Sequence, residues 1–162
     1  MFKKLLIIGA IIFATYSVNA QNLFEKGDIA VNLGFLVGDV TTDFTPGINA
    51  SVEYGAFPVG DGFGVVSLGA GLDVGFYSGY YNDYVYARPS VRGAFHLGIL
   101  NTEKFDVYAG VMSGYTTGYP VNDLFMDDFI GGRMMLSDGF GIYAEVGFIS
   151  ASNLRGGVFF KF

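Results

Sequence analysis

Gly47-Ile48-Asn49-Ala50-Ser51-Val52-Glu53-Tyr54-Gly55-Ala56-Phe57 is the stretch that decides the fold. Ile48, Ala50, Val52, Tyr54 and Ala56 alternate there with Gly47, Asn49, Ser51, Glu53 and Gly55. Successive side chains of a strand point to opposite faces, so a period of two sorts these residues onto two surfaces. One surface is apolar. The other is small, polar or charged.

The same alternation recurs on both sides of this stretch, at 29–38, 64–77, 85–97, 105–115, 128–136, 141–150 and 154–162. Eight strands result, close in length to the ~9–11 residues that a tilted strand needs to cross a bilayer. Turn residues separate them. The connections at 58–62, 98–104 and 137–139 fall on one side, and those at 39–46, 78–84, 116–127 and 151–153 fall on the other. Short turns at one end and longer loops at the other are the pattern of a transmembrane barrel. A closed ring also leaves no unpaired strand edge in lipid, where each orphaned backbone group is costly. The fold class read from the sequence is therefore all-β: an eight-stranded antiparallel up-and-down transmembrane β-barrel.

Composition agrees. The 162 residues suit one domain, and they include 25 Gly, 17 Phe and 11 Tyr, with only 15% charged. That many aromatics argues against disorder, and that much glycine argues against a soluble helical domain. Cysteine is absent, which excludes disulfides, thiol catalysis and thiolate metal sites. Residues 1–20 read as a secretory signal: Lys3 and Lys4, an apolar run over 5–18, then Val18-Asn19-Ala20 before the cleavage point. The barrel domain is then 21–162. Without the two signal lysines it carries 7 basic and 15 acidic residues, net −8. A nucleic-acid partner is not expected at that charge.

The charges decide between barrel types. Glu53, Asp73, Arg88, Arg92, Asp106, Arg133, Glu145, Arg155 and Lys161 all lie opposite the apolar stripe, and His96 joins them. Glycine fills much of the same face. A soluble barrel would put its apolar face inside; here the charged, glycine-rich face suits a narrow interior. An arginine facing lipid costs about 2–4 kcal/mol at mid-membrane, which explains the segregation. Hairpin registers place Asp73 near Arg88, Arg133 near Glu145, and His96 near Asp106. Glu53 and Arg92 fall at the height of Arg133 and Glu145. The expectation is an interior salt-bridge network that plugs the bore; an ion pathway is the alternative.

The longer connections carry Asp39, Asp43, Asp83, Asp123, Asp127 and Asp128, with no Lys or Arg. They read as acidic, aromatic external loops able to meet a protein partner. Asp123, Asp127 and Asp128 offer oxygen ligands but match no calcium-loop spacing. No cofactor is expected. Gly69 to Gly75 has the wrong spacing for a nucleotide fingerprint and opens no helix. His96 has Ser90 as the inward serine of its own strand, six residues away, so catalysis is not expected.

Val158-Phe159-Phe160-Lys161-Phe162 is similar to the assembly signal of outer-membrane barrels, in which apolar residues alternate and a terminal aromatic follows. Val158, Phe160 and Phe162 carry that likeness. With the signal segment and eight alternating strands, residues 28–162 resemble the small OmpA/OmpX-like outer-membrane β-barrel family of Gram-negative bacteria. The resemblance implies residence in outer-membrane lipid and insertion by the barrel-assembly machinery. It carries no expectation of a peptidoglycan-binding domain here.

Overall fold

The computed structural model describes residues 22–39, 44–78, 83–118, 122–148 and 154–162. The strands are β1 (Ile29–Asp39), β2 (Phe44–Val59), β3 (Gly64–Ser78), β4 (Asp83–Leu97), β5 (Phe105–Thr116), β6 (Asp123–Ser137), β7 (Phe140–Val146) and β8 (Leu154–Lys161). Each is antiparallel to the next. β1 also pairs with β8, from Ala30↔Lys161 to Val37↔Leu154, which closes the barrel. Ile29 and Phe162 exchange backbone bonds of 3.1 and 2.9 Å just beyond that ladder.

Several strands outrun their apolar stretch. Residues 44–46 pair with the end of β1, Asp83 and Tyr84 pair with the end of β3, and 123–127 pair with β5. All of these were expected in loops. A ladder satisfies backbone groups whatever the side chains, so pairing continues where lipid no longer imposes alternation. β7 is shorter than expected and ends at Val146. Two register shifts also break the strict period. One, between Gly55 and Phe57, turns Phe57 to the outside, where it is 59% exposed. The other lies between Met135 and Ser137.

The outer face is a belt of exposed apolar side chains. Phe35, Ile48, Leu68, Val91, Val111 and Leu154 all belong to it. Charged side chains cluster on the inner face. In water such a belt would be an aggregation surface; in hydrocarbon it is the required coat.

Five glycines on the inner face have a specific partner: an aromatic ring on the adjoining strand. Gly75 pairs with Tyr86, Gly131 with Tyr108, Gly110 with Phe129, Gly114 with Phe125, and Gly141 with Phe159. A Cβ on Gly131 would sit 2.6 Å from the Tyr108 ring, and one on Gly110 would sit 2.5 Å from Phe129. Each ring thus lies over a neighbour that has no side chain. Glycine weakens a strand, and a ring laid across it restores the lost packing.

Candidate functional site

The turns and both described termini gather at one end of the barrel, the turn end; the longer connections gather at the other, the loop end. Between them the inward residues of β4 set the heights. Arg88, Arg92 and His96 lie four residues apart, so all three face inward in successive layers.

The middle layer is the densest. Glu53 Oε1 accepts from Arg133 Nη2 at 2.9 Å and forms an ion pair with Arg92 Nη2, also at 2.9 Å. Glu145 Oε1 accepts from Arg92 Nη2 at 2.6 Å and from the Tyr108 hydroxyl at 2.9 Å. Ser51 Oγ accepts from Asn32 Nδ2 at 2.9 Å and from Arg92 Nη1 at 3.2 Å. The Arg92 guanidinium lies over Phe129 and that of Arg133 over Tyr108, at 4.2 and 4.6 Å from the ring centroids. These contacts are cation–π pairs in a desolvated site, where they are strongest.

Toward the loop end, Arg155 Nη2 donates to Asp73 Oδ2 at 2.7 Å. Asn49 Nδ2 donates to the other oxygen of Asp73, and the Tyr143 hydroxyl donates to Asn49 at 2.8 Å. Arg88 Nη2 reaches Asp127 Oδ2 at 2.7 Å and stacks over Phe125. Toward the turn end, His96 Nδ1 meets Asp106 Oδ2 at 2.9 Å, and Asn101 Nδ2 donates to Asp106 Oδ1 at 2.8 Å.

The network groups therefore share one bore, but their partners differ from the expected ones. Asp73 and Arg88 face each other in the β3–β4 register, yet Asp73 binds Arg155 and Arg88 binds Asp127. Arg133 bonds Glu53 and Asp106, while Glu145 bonds Arg92. Side chains at one height on adjacent strands run parallel, and an extended arginine is long enough to cross a narrow bore. The His96–Asp106 and Glu53–Arg92 pairings are present. Lys161 lies apart from these layers. It pairs with Asp28 at 2.8 Å at the turn-end rim, both 23% exposed.

Asp127 requires a correction. It was expected in an external loop, but it lies in β6, faces inward and is 3% exposed. Asp128, next in the strand, faces outward, and its Oδ1 accepts from the Phe148 amide at 3.2 Å. Asp83 opens β4 and Asp123 opens β6, both exposed; Asp39 ends β1, and Asp43 lies outside the described residues. Consecutive strand residues point apart, so Asp123, Asp127 and Asp128 do not converge on a cation. Among the described residues no cluster of three His, Cys, Asp or Glu is placed to hold one.

Two further features escape a reading by period. Residues 22–28 form a turn tucked into the turn-end mouth, tied by Gly27 N to Gly55 O and by Gly55 N to Asp28 O at 2.8 and 2.9 Å. Leu23 and Phe24 are buried there, and Phe24 stacks on His96 at 4.2 Å. Gly55 is required at this contact, because a Cβ would run into the Glu25 carbonyl oxygen. The second feature is Ser67, whose Oγ lies 3.1 Å from His96 Nε2. With Asp106 this has the order of a hydrolase triad. Ser67 Oγ also lies within donating distance of Glu53 Oε2, at 3.1 Å, and of Ala94 O, at 3.4 Å. Ser90 donates to Gly71 O instead. The His96 ring thus joins Asp106 on Nδ1 to Ser67 on Nε2 within one buried polar network.

This architecture defines a class, the closed transmembrane β-barrel, apolar outside and ionic within. No protein-family model matches the sequence, and no curated protein matches it. Solved structures do resemble it. A de novo designed transmembrane β-barrel superimposes with TM-score 0.61 at 17% identity, over 89% of this chain and 100% of that one. Ail, the attachment invasion locus protein of Yersinia pestis, superimposes with TM-score 0.50 at 12% identity, over 85% of this chain and 99% of its own.

Proposed function

We propose that this protein is an integral outer-membrane barrel that works through the surface it presents, with its bore serving as a structural core. The supporting observation is the burial of the network: Glu53, Asp73, Arg88, Arg92, His96, Asp106, Asp127, Arg133, Glu145 and Arg155 are each at most 5% exposed. Groups lining an aqueous path stay hydrated. These are held by one another, as buried charges must be. With a proton on each His96 nitrogen, five cationic groups face five carboxylates.

The turn end then faces the periplasm and the loop end faces outward. The connections at the loop end carry acids and no Lys or Arg, so a protein partner with a basic face would be attracted there. The likeness to Ail, a protein named for attachment and invasion, is compatible with a surface role. Val158 and Phe160 face outward, Phe160 packs on Phe140 at 5.4 Å, and Phe162 is 74% exposed. They would be read by the assembly machinery before closure and coated by lipid afterwards. Catalysis forms no part of this reading.

A small channel is the competing function, and planar-bilayer recording separates the two. The purified barrel should give no unitary conductance at any applied voltage in molar salt. Reproducible single-channel steps that vanish on boiling would establish the channel instead.

A further inference from the structure

The ring of strands closes without residues 22–28. β1 begins at Ile29, and it is laddered to β2 on one side and to β8 on the other. The turn before it is held to the mouth by fewer ties. Gly27 and Asp28 both bond Gly55, two residues against one, where the β1–β2 ladder runs out. Asp28 also pairs with Lys161 at the partly exposed rim. Segments with few contacts to the rest of a fold open locally, at a fraction of its global stability.

Within itself the turn is well bonded. Asn22 N donates to Glu25 Oε1 at 3.1 Å, Glu25 N to Asp28 Oδ2 at 2.7 Å, and Asp28 N to Glu25 O at 3.2 Å. None of these three bonds reaches the barrel, so the turn keeps its shape in the mouth or out of it. Gly27 supplies its left-handed corner, with φ +96° and no atom within 4 Å of an added Cβ.

What the turn inserts is apolar, and what it covers is ionic. Leu23 belongs to a buried cluster with Phe159 and Tyr143, and Phe24 to one with Ala30 and Val65. The Phe24 ring lies 4.2 Å from that of His96, with planes 26° apart, and 5.5 Å from the Arg133 guanidinium. Asp106 and Ser67 hold the two His96 nitrogens at 2.9 and 3.1 Å, and all three residues are 0% exposed. We propose that residues 22–28 are a hinged lid, which leaves the mouth as one unit while the barrel stays closed, and which keeps water from the His96–Asp106 layer when shut. This conformational device goes beyond the surface role proposed above and does not depend on whether the loop end meets a partner.

Hydrogen exchange followed by NMR in nanodiscs tests the lid without any substitution. The Gly27 and Gly55 amides, whose bonds span the lid contact, should exchange at one common rate once corrected for local sequence. That rate should be about a hundredfold faster than for Ile29 and Lys161, whose amides bond Phe162 O and Gly139 O. Exchange of all four amides in step would make the turn a fixed part of the barrel and overturn the proposal. The second readout is the imidazole N–H of His96, the one histidine of the chain. Wild type should show this proton in a nitrogen-correlated spectrum at neutral pH; its absence there would mean that the lid does not shut. Leu23→Ser combined with Phe24→Ser withdraws the inserted side chains and should abolish the signal. Lys26→Ser, at an exposed position of the same turn, should keep it. Both variants should retain the unboiled gel mobility of a closed barrel. A closed double variant that still shows the His96 proton would mean that the network excludes water by itself, and no lid would be needed.

Discussion

Arg133→Ala lowers the stability of the barrel by about 3–5 kcal/mol, the usual cost of removing one partner from a buried ion pair. Arg133 donates to Glu53 at 2.9 Å, to Asp106 at 3.3 Å and to Asn32 at 3.3 Å, and it is 2% exposed. Its loss leaves Asp106 with His96 and Asn101, and Glu53 with Arg92, Ser67 and His96. The bore then holds one carboxylate more than its cations match, and that uncompensated charge drives the cost. Lys161→Ala is the comparison. That lysine also pairs with a carboxylate, but at a rim where both groups are 23% exposed, so its effect should stay within about 1 kcal/mol. Urea unfolding of both variants in lipid vesicles measures the difference. Equal midpoints at an unchanged slope would show that the bore charges are hydrated and not structural.

Gly157→Val prevents the barrel from closing normally. Gly157 faces Gly34 where β8 meets β1, and an added Cβ there would collide with Leu33 O and stand 2.5 Å from Gly34 Cα. Both obstacles are backbone, so no rotamer change relieves them. Overpacking costs about 1–3 kcal/mol and occasionally more, and a clash against main chain at the closing seam belongs at the upper end of that range. The readout is the gel shift between unboiled and boiled samples that a closed barrel gives in SDS. Wild type should show it, Gly157→Val should lose most of the fast-migrating form, and Gly132→Val should keep it. A Gly157→Val barrel as resistant as wild type would mean that β1 and β8 do not pair in the stated register.

These effects turn on residues that the sequence makes legible to different degrees. The alternation around Ile48, Ala50 and Val52 is sharp because lipid penalises every polar residue on that face. It therefore marks strand, face and bore together. Which residues enter the bore follows from the same rule. Which of them bind each other does not: Arg155 of β8 reaches Asp73 of β3, and that depends on tilt and side-chain length rather than on spacing. Asp127 was hidden because Asp127-Asp128 puts one acid on each face, so no period shows, and the paired strand around it continues beyond the apolar stretch. Phe24 was hidden because residues 22–28 have no repeat at all; Gly55, which makes room for that turn, is the nearest signal. The inward rings of Tyr108, Phe129 and Phe159 could have been found by asking which aromatic stands across from each inward glycine.

The central claim is that hydrocarbon touches the Ile48–Ala50–Val52 face and never the Asn49–Ser51 face. The most direct measurement is nuclear Overhauser transfer from lipid acyl-chain protons to the protein in phosphatidylcholine nanodiscs, which needs no substitution. Cross-peaks should appear at Ile48, Val52, Leu72 and Val91, and none at Asn49, Ser51 or Arg92. Acyl-chain contacts at Asn49 or Ser51, with Val52 in contact with water instead, would mean that the barrel is inside out and that the sorting of its side chains has another cause.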